Sequence, residues 1–543
     1  MRTVLLSIIS ILLLKASTHA QGMVHLNKPY YVCGETLHFA AYTSSERQLP
    51  FKVRWEVTDE DGRIAEAFYT QSQPGSDISG RWSIPNQLSS GVYGLTGYVY
   101  SSVKELIPIW QADFAVHNDL ERLPAAGMPA PEPIASAIAV PEGKYKLRIR
   151  TDRSSYSPGD QVTLSCEVMG ENGETVSAIA SVSVIHSDQV GPDHLPMSIQ
   201  INEKMDIPNN ASNTLAQFGT VLDTSGNEIQ INVLGIYDEE AKRMHLATSN
   251  PSGSVMIKTP DFYGKRKGQA IGYILSEYPT IDFRPRSLGR SIKANSTDDP
   301  VIQSYLDESR TRRMIYQYYD MAPQAMVEVP PTERFERDAD ASYVFADYKD
   351  LDNVAEFFNE LSRSRLKFRK GNIWSAYMYN PKGVKKKNIY ANPPTFIIDG
   401  KVTRDAQLIA NLSVSEMKDA ELYYYPKSIK ENFATNGSSG FAVLRTKAAD
   451  ITLSKEVEDD IFMMDGLQLS IISEEPKSED LTHRFAPDVY WQSGVEIPIS
   501  AATLDFALTH DLGDVSIVVV AQTSDGEFVT DSHEIEVAQK EPR

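Results

Sequence analysis

Short stretches in which hydrophobic and polar residues alternate are the main pattern of this chain. Leu37, Phe39 and Ala41 stand at alternate positions, which is typical of a strand with one buried face. Three similar stretches follow, with turn residues between them, at Val53–Thr58, Ala65–Tyr69 and Gly91–Tyr100. This spacing predicts a β-sandwich in the first part of the chain.

Helical spacing of hydrophobic residues occurs in few places. Residues 299–320 carry a hydrophobic face, and Pro300 suits the first position of a helix there. A second helix is predicted with Asp350 as its N-cap and hydrophobic residues from Leu351 to Leu361. A third is predicted near 405–411. The expected fold is therefore mainly β, with tandem sandwiches and a small inserted α/β domain.

The N-terminus indicates export. Residues 1–20 have a charged start, a short apolar run and small residues at the end, which predicts a cleaved signal peptide. The chain has a formal net charge of −20, which argues against general binding to nucleic acid. Cys33 and Cys166 are too few for a disulfide framework, so two free thiols or one bridge between domains are both open.

A motif of tyrosine, two residues, glycine and an acid occurs twice before an alternating strand. The copies are 125 residues apart, which is a domain-sized repeat. The aligned pairs are Tyr31 with Tyr156, Gly34 with Gly159, Glu35 with Asp160, Leu37 with Val162 and Phe39 with Leu164. This repeated motif resembles the macroglobulin domains of alpha-2-macroglobulin-like proteins, and the resemblance implies two such sandwiches.

A second resemblance covers Pro393 to Lys447. A hydrophobic strand ends at Asp399-Gly400, an acidic strand contains Glu421, and a glycine-rich stretch leads into the strand Phe441–Thr446. These features resemble the plug domain of TonB-dependent outer-membrane receptors. Only 96 residues follow Lys447, too few for the roughly 22-stranded barrel that surrounds such plugs. Residues 219–257 also resemble carboxypeptidase-regulatory-like sandwiches, which are structural modules.

These segments together predict a multidomain organisation similar to secreted proteins of Bacteroidota. The resemblance implies a cell-envelope protein in the periplasm or at the periplasmic face of the outer membrane, with the cell surface as an alternative. The predicted divisions are signal peptide 1–20, first sandwich 21–118, Pro/Ala-rich linker 119–144, second sandwich 145–210, regulatory-like sandwich 211–295, helix and linker 296–335, plug-like domain 336–450 and C-terminal β segment 451–543. The last segment could instead share a sheet with earlier strands, making the plug-like unit an insertion.

A reversal of charge marks the candidate binding site. From Leu361 to Tyr390 there are nine lysines and arginines and no acids, in a chain that is otherwise acidic. In a strand, Arg363, Arg365, Lys367 and Arg369 would share one face, which would suit an acidic partner surface or anionic envelope polymers. A solvated strand face is the alternative. The predicted partner-binding residues are Arg363, Arg365, Lys367, Arg369, Lys385, Lys386, Lys387, Asp399, Gly400 and Tyr424.

Patterns for catalysis are weak. Cys33-Gly34-Glu35 is followed by Thr36, whereas a macroglobulin thioester needs glutamine at that position. Gly437–Gly440 lacks the spacing of a hydrolase nucleophile elbow. His186, Asp188, Asp193 and His194 are close in sequence but lack the spacing of a metal site. We therefore expect no catalytic residue, metal or cofactor.

The sequence thus favours a non-catalytic interaction or scaffold protein of the envelope. Its expected partners are proteins of the outer membrane or periplasm, with membrane association only indirect, and neither nucleic acid nor a small-molecule substrate is expected. A macroglobulin-like protease inhibitor without a thioester is the first alternative. A hydrolase with a site assembled across domains is the second.

Overall fold

The computed structural model describes most of the chain after residue 22. The described ranges are 23–43, 50–72, 77–100, 106–121, 128–131, 144–187, 207, 211–223, 225–231, 233–273, 282–285, 294–297, 300–318, 338–348, 351–361, 365–381, 388–433, 439–449, 451, 461–468 and 484–539. Residues 128–131, 271–273, 282–285 and 294–297 are described by their backbone alone. The predicted signal peptide lies outside these ranges.

Strands make up most of the described structure. The first are β1 Met23–Leu26, β2 Tyr30–Val32, β3 Thr36–Tyr42, β4 Lys52–Thr58, β5 Ile64–Gln71, β6 Ile78–Ser83, β7 Gly91–Tyr100, β8 Leu106–His117, β9 Met128–Pro131, β10 Tyr145–Thr151, β11 Ser155–Tyr156, β12 Gln161–Gly170, β13 Thr175–Val176 and β14 Ala178–His186. Then follow β15 Leu215–Leu222, β16 Val233–Asp238, β17 Arg243–Ala247, β18 Ser254–Thr259, β19 Lys265–Tyr273, β20 Asp282–Pro285, β21 Ala294–Thr297 and the helix α1 Pro300–Tyr318.

The rest of the chain begins with the α/β region and ends in strands. Its elements are β22 Ala341–Val344, α2 Val354–Glu360, β23 Leu366–Lys370, β24 Trp374–Met378, β25 Thr395–Ile398, β26 Lys401–Thr403, α3 Ala406–Asn411, β27 Met417–Tyr423, α4 Pro426–Phe433, β28 Phe441–Thr446, β29 Ile461–Asp465, β30 Asp488–Ile497, β31 Ala502–Ala507, β32 Gly513–Thr523 and β33 Phe528–Val537. The predicted mainly β fold class is confirmed. No described helix is long and apolar enough to cross a membrane.

The chain divides into two compact units that interrupt one another. The first contains 1–213, 287–328 and 467–543, and the second contains 214–286 and 329–466. In the first unit, β1–β8 form two facing sheets, in the orders β1-β3-β6 and β2-β8-β7-β4-β5. Their core is rich in aromatic residues, with Phe39, Trp55 and Trp110 fully buried. These two sheets and the core between them form a β-sandwich.

The second sandwich is built from two distant parts of the chain. Strand β14 pairs on one side with β30 and on the other with β32, and β12 pairs with β31. The last block of the sequence therefore completes the sheets begun at Tyr145, as the sequence had allowed. The predicted Asp-Gly hairpin is also present, with Gly526 at φ 85° between β32 and β33.

The second unit combines a sandwich with an α/β module. Its sandwich has the sheets β18-β15-β20 and β17-β16-β19-β29, so the short strand β29 returns to it after the module. The module has a five-stranded sheet in the order β22-β27-β28-β25-β26, with β25 and β28 parallel. Helix α2 begins after Asn353, whose side chain accepts from the Glu356 N–H, so the N-cap predicted at Asp350 is wrong. Asp405 is the N-cap of α3, and its carboxylate accepts from the N–H groups of Gln407 and Leu408.

The two motif copies fold into the same hydrogen-bonded turn. In each, the short tyrosine strand pairs in parallel with the last strand of its own sandwich, and the glycine has positive φ, 94° at Gly34 and 77° at Gly159. The following acid accepts from the N–H three residues earlier, at 2.9 Å for Glu35 and 3.0 Å for Asp160. The local sequence alone therefore specifies this turn.

A further pair of residues belongs to the repeat. Asn27 accepts from the Tyr31 hydroxyl at 2.7 Å and from the His38 N–H at 2.8 Å. Asp152 stands 125 positions after Asn27. It accepts from the Tyr156 hydroxyl at 2.8 Å and from the Thr163 N–H at 2.9 Å, and these two residues stand 125 positions after Tyr31 and His38. One side chain thus ties the tyrosine to the next strand in both sandwiches.

Among the residues that the structure describes, a helix covers the first copy of the turn and none covers the second. Ile302, Tyr305 and Leu306 of α1 pack on an apolar surface, which consists of Tyr30, Val32, Ala115 and Ile185. At the positions equivalent to Tyr30 and Val32, the second copy has Ser155 and Ser157. Polar side chains offer little apolar area to bury, so the second turn lacks the surface on which a helix would dock.

Four edge strands are each closed by a single side-chain amide. In every case the amide nitrogen donates to the carbonyl of one strand residue and the amide oxygen accepts from its N–H. The pairs are Gln217 with Asp465 in β29, Gln269 with Val402 in β26, Asn359 with Phe368 in β23 and Gln468 with Arg81 in β6. An open edge offers the same groups to other chains, so these amides protect the sheets.

Replacing Gln269 with leucine should destabilise the second unit by about 3 kcal/mol, because two buried backbone groups of Val402 lose their partner. Hydrogen exchange at the Val402 amide and thermal unfolding would measure the effect. Gln407→Leu is the matched control, since among the described residues its side-chain amide accepts a single bond, from the Trp374 N–H at 2.9 Å. Unchanged exchange at Val402 in Gln269→Leu would contradict the assigned role.

Candidate partner-binding site

The candidate site is the outward face of the hairpin formed by β23 and β24. Opposite residues are Lys367 with Tyr377 and Arg369 with Ser375. One step beyond the strand, the Tyr379 N–H donates to the Arg365 carbonyl at 2.8 Å, and Tyr379 also bridges to Ile389. Because side chains alternate between the two faces of a strand, these seven residues share one side, which we call the hairpin face.

The opposite side of the hairpin anchors it in the module. Leu366, Phe368, Ala376 and Met378 are buried, and the Phe368 ring stacks on Phe396 of β25 at 6.0 Å. The alternation predicted from the sequence therefore places Arg365, Lys367 and Arg369 on the side away from the core. Arg363 and Lys385–Lys387 lie outside the described residues.

Arg365 is held against aromatic rings. Its guanidinium carbon lies 4.5 Å from the ring centre of Tyr379 and 5.9 Å from that of Tyr424. Such cation–π contacts stabilise the charge without neutralising it, and they leave the edge of the planar guanidinium available to acceptors. Arg365 thus has a fixed position on the face.

Lys367 has a different role from its neighbours. Its amine donates to the carbonyls of Phe358, Asn359 and Leu361 at 2.9, 2.9 and 3.0 Å, at the C-terminal end of α2. Burial lowers the pKa of this lysine. The last carbonyls of a helix lack partners within the helix, so Lys367 serves as a helix C-cap.

Arg369 and Lys370 are exposed at the end of β23. The Lys370 amine lies 5.6 Å from the ring centre of Trp374. In the part of the chain that the structure describes, no carboxylate forms an ion pair with Arg365, Arg369 or Lys370. Tyr377 and Ile389 complete the face with 38% and 42% exposure, so cations and apolar groups are both presented to solvent.

Tyr424 lies beneath the face rather than on it. It is 8% exposed, its hydroxyl donates to the Asp340 carbonyl at 3.2 Å, and its carbonyl accepts from the Tyr390 hydroxyl at 2.7 Å. The Asp340 carboxylate also accepts from the N–H groups of Tyr424 and Tyr425, just before α4. Tyr424 therefore supports Arg365 from below, while Tyr425 is 45% exposed.

Asp399 and Gly400 form the turn between β25 and β26. Both have positive φ, 46° and 82°, which favours Asp-Gly in such hairpins. The Asp399 carboxylate accepts from the N–H and hydroxyl of Thr446 at 2.8 and 2.6 Å. A side chain at Gly400 would lie 2.4 Å from a carboxylate oxygen of Glu239 in the neighbouring sandwich. This turn therefore packs against the neighbouring sandwich of the second unit.

A buried ionic cluster in the first unit was not found from the sequence. Lys28 is completely buried and donates to Glu35 at 2.8 Å, to Asp488 at 2.7 Å and to the Tyr305 hydroxyl at 2.9 Å. Burial raises the pKa of Asp488, whereas at Glu35 the nearby Lys28 and Arg312 outweigh burial and lower the pKa. This cluster joins both sandwiches to α1. Of the residues in this cluster, only Glu35 belongs to a local sequence pattern, the repeated motif.

Two other buried groups have catalytic residue types but no access. The His25 Nδ1 lies 2.6 Å from the Ser181 hydroxyl, which also accepts from Tyr42, and both His25 and Ser181 are 0% exposed. Burial lowers the pKa of His25 to about 3, so it stays neutral. A substrate cannot reach this serine in the described conformation.

Both cysteines are free and buried. Burial, with a smaller effect of nearby acids, raises the pKa of Cys33 to about 11, and burial raises that of Cys166 to about 12. The thiolate is the reactive form, so neither thiol is activated. The neighbouring Glu35 binds Lys28 and Tyr305.

Metal ligands are not gathered in the described ranges. No three His, Cys, Asp or Glu residues there lie close enough together to hold an ion. His186 is buried, with its Nε2 2.8 Å from the Thr509 hydroxyl. The other residues weighed with it, Asp188, Asp193 and His194, lie outside the described residues.

Comparison with known proteins gives distant similarity only. No protein-family model and no curated protein matches the chain. An alignment with the native conformation of Escherichia coli alpha-2-macroglobulin covers 96% of this chain and 40% of the macroglobulin chain, with a TM-score of 0.25 and 8% identity. Salmonella alpha-2-macroglobulin reacted with methylamine aligns with 96% and 39%, with a TM-score of 0.24 and 10% identity.

The chain spans less than half the length of these macroglobulins. TM-scores of this size carry no argument about function, so the strand pairing itself remains the basis for the β-sandwich architecture. The site is therefore interpreted from its own residues.

Proposed function

We propose that the chain is a non-catalytic interaction protein of the cell envelope, exported to the periplasm or its outer-membrane face. In this proposal the β-sandwiches act as a scaffold and the α/β module binds a protein partner. The signal-like N-terminus supports export. The burial of Ser181, His25 and both cysteines supports a role other than catalysis.

The hairpin face is the observation that carries the proposal. It presents Arg365 and Arg369 beside Tyr377 and Ile389, and the described residues provide no carboxylate to pair with these arginines. Arginine and tyrosine are enriched where proteins bind each other, and a side chain already held in place loses less entropy on binding. The opposite side of the hairpin is buried in the module, which supports the face from below.

Crosslinking in native envelopes would test this proposal. A tagged chain should recover a specific protein partner, and the double substitution Arg365→Gln with Arg369→Gln should remove most of that partner. Arg148→Gln with Arg150→Gln is the matched control, because these arginines are also exposed at alternate positions of a strand. Equal recovery by all three proteins would count against the proposal.

A further inference from the structure

The hairpin face has a spacing that selects its ligand. Arg365 and Arg369 are four residues apart on one strand, which corresponds to about 13 Å. Lys367 lies between them, but its amine turns to the end of α2, and Tyr377 stands opposite it. Along the strand direction, the face therefore presents a cation, then an aromatic ring, then a second cation.

We infer that this face binds a short extended segment of the partner polypeptide with acidic side chains at positions i and i+4 and an apolar or aromatic side chain at i+2. This inference rests on the proposed function and deepens it. An extended segment repeats its side chains at the same interval of about 6.7 Å per two residues. Its two acids therefore meet Arg365 and Arg369, and its central side chain packs on Tyr377.

The chemistry of the groups supports carboxylates as ligands. A guanidinium offers a planar pair of donors that matches the two oxygens of a carboxylate. The ring of Tyr379 holds Arg365 in place from one side, 4.5 Å away. An incoming carboxylate therefore meets a donor whose position is set before binding.

The charge of the whole chain favours a short segment over a broad anionic surface. The net charge is −20, so a membrane or a polyanionic polymer is repelled by most of the protein. Within Leu361–Tyr390, by contrast, all nine charged side chains are cations. A peptide of a few residues remains within this local field, since charges beyond about 8 Å are screened at physiological salt.

Defined peptides would test the inference with the full-length mature protein. The first probe is a labelled peptide with the central sequence Glu-Ser-Tyr-Ser-Glu, and the second has the same composition with both glutamates adjacent. Fluorescence anisotropy should show that the first binds more tightly. Arg365→Gln with Arg369→Gln should weaken its binding at least about tenfold. Arg148→Gln with Arg150→Gln should leave it within about twofold.

Three results would overturn the inference. The first is equal affinity for the two peptides, and the second is equal loss in both double variants. The third is tighter binding, dependent on Arg365 and Arg369, to anionic phospholipid vesicles or alginate. Circular dichroism should first show that each variant is folded.

The two proposals can fail separately. If the envelope partner is lost in the Arg365/Arg369 variant while neither peptide binds, the interaction function stands and the acidic segment is wrong. If the peptide binds but no envelope partner is recovered, the recognition chemistry stands and the proposed function is wrong.

Discussion

Lowering the pH from 7.5 to 5 is expected to destabilise the first compact unit by about 6 to 7 kcal/mol. His25, His38, His117 and His186 lie there, and burial lowers their pKa values to about 3, 4, 4 and 4. In the unfolded chain they take up a proton near pH 6.5, so stability is lost as the pH falls below that value. At pH 5 each histidine accounts for about 2 kcal/mol.

The carboxyl group of Asp77 partly offsets this loss. Burial raises the pKa of Asp77 to about 6. Its ionisation destabilises the folded state above the unfolded pKa, so lowering the pH to 5 restores about 1.5 kcal/mol. The histidines outweigh it, and the net loss is comparable to the whole stability of many domains.

Urea unfolding followed by tryptophan fluorescence would measure the pH effect. Four of the five tryptophans, Trp55, Trp82, Trp110 and Trp491, belong to the first unit. His117→Phe should remove about 2 kcal/mol of the acid sensitivity, because neither ring nitrogen of His117 has a hydrogen-bond partner among the described residues. The half-exposed His533 provides the control His533→Phe. Equal urea midpoints at pH 7.5 and pH 5 would disprove the expectation.

Replacing Lys28 with methionine is the second change with a large expected effect. It leaves the carboxylates of Glu35 and Asp488 together without their shared cation. Removing one partner of a buried ion pair is strongly destabilising. Because the Asp488 side chain is 26% exposed, we expect the free energy of unfolding to fall by about 3 kcal/mol at pH 7.5.

The repeat provides a matched control for Lys28. Arg153 stands 125 residues later and donates to the equivalent acid, Asp160, at 3.1 Å. This pair is exposed to solvent, so Arg153→Met should leave the urea midpoint nearly unchanged. A similar shift in both variants would mean that the lysine acts through the local turn and not through the buried cluster.

The features predicted well from the sequence are those with local causes. The turn at Gly34 and Glu35 depends on residues within a few positions, so the motif was sufficient to identify it. The end of the strand at Asp399-Gly400 and the helix near Asp405 are determined in the same way. The strand alternation that places Arg365 and Arg369 on one face is equally local.

The features missed depend on distant partners. Lys28 contacts Asp488, which is far away in the sequence, and nothing near either residue marks the pair. Lys367 was predicted to bind a partner, and that role stays a prediction. Its three hydrogen bonds at the end of α2 could not be predicted, because they depend on where that helix ends. The N-cap of that helix was misplaced because Asp350 and Asn353 are both good caps, and only the backbone path chooses between them.

The divided second sandwich also determines the order in which the protein can assemble. During synthesis, β14 leaves the ribosome about 300 residues before β30 and β32, between which it lies. The strands of the second unit, from β15 to β29, are all made in this interval. Until then, the first half of the second sandwich has unpaired strand edges, and the side chains that will form its core are exposed to water. Its completion is a late, long-range step, so we expect newly made chains to need protection from aggregation until β30–β33 have been made.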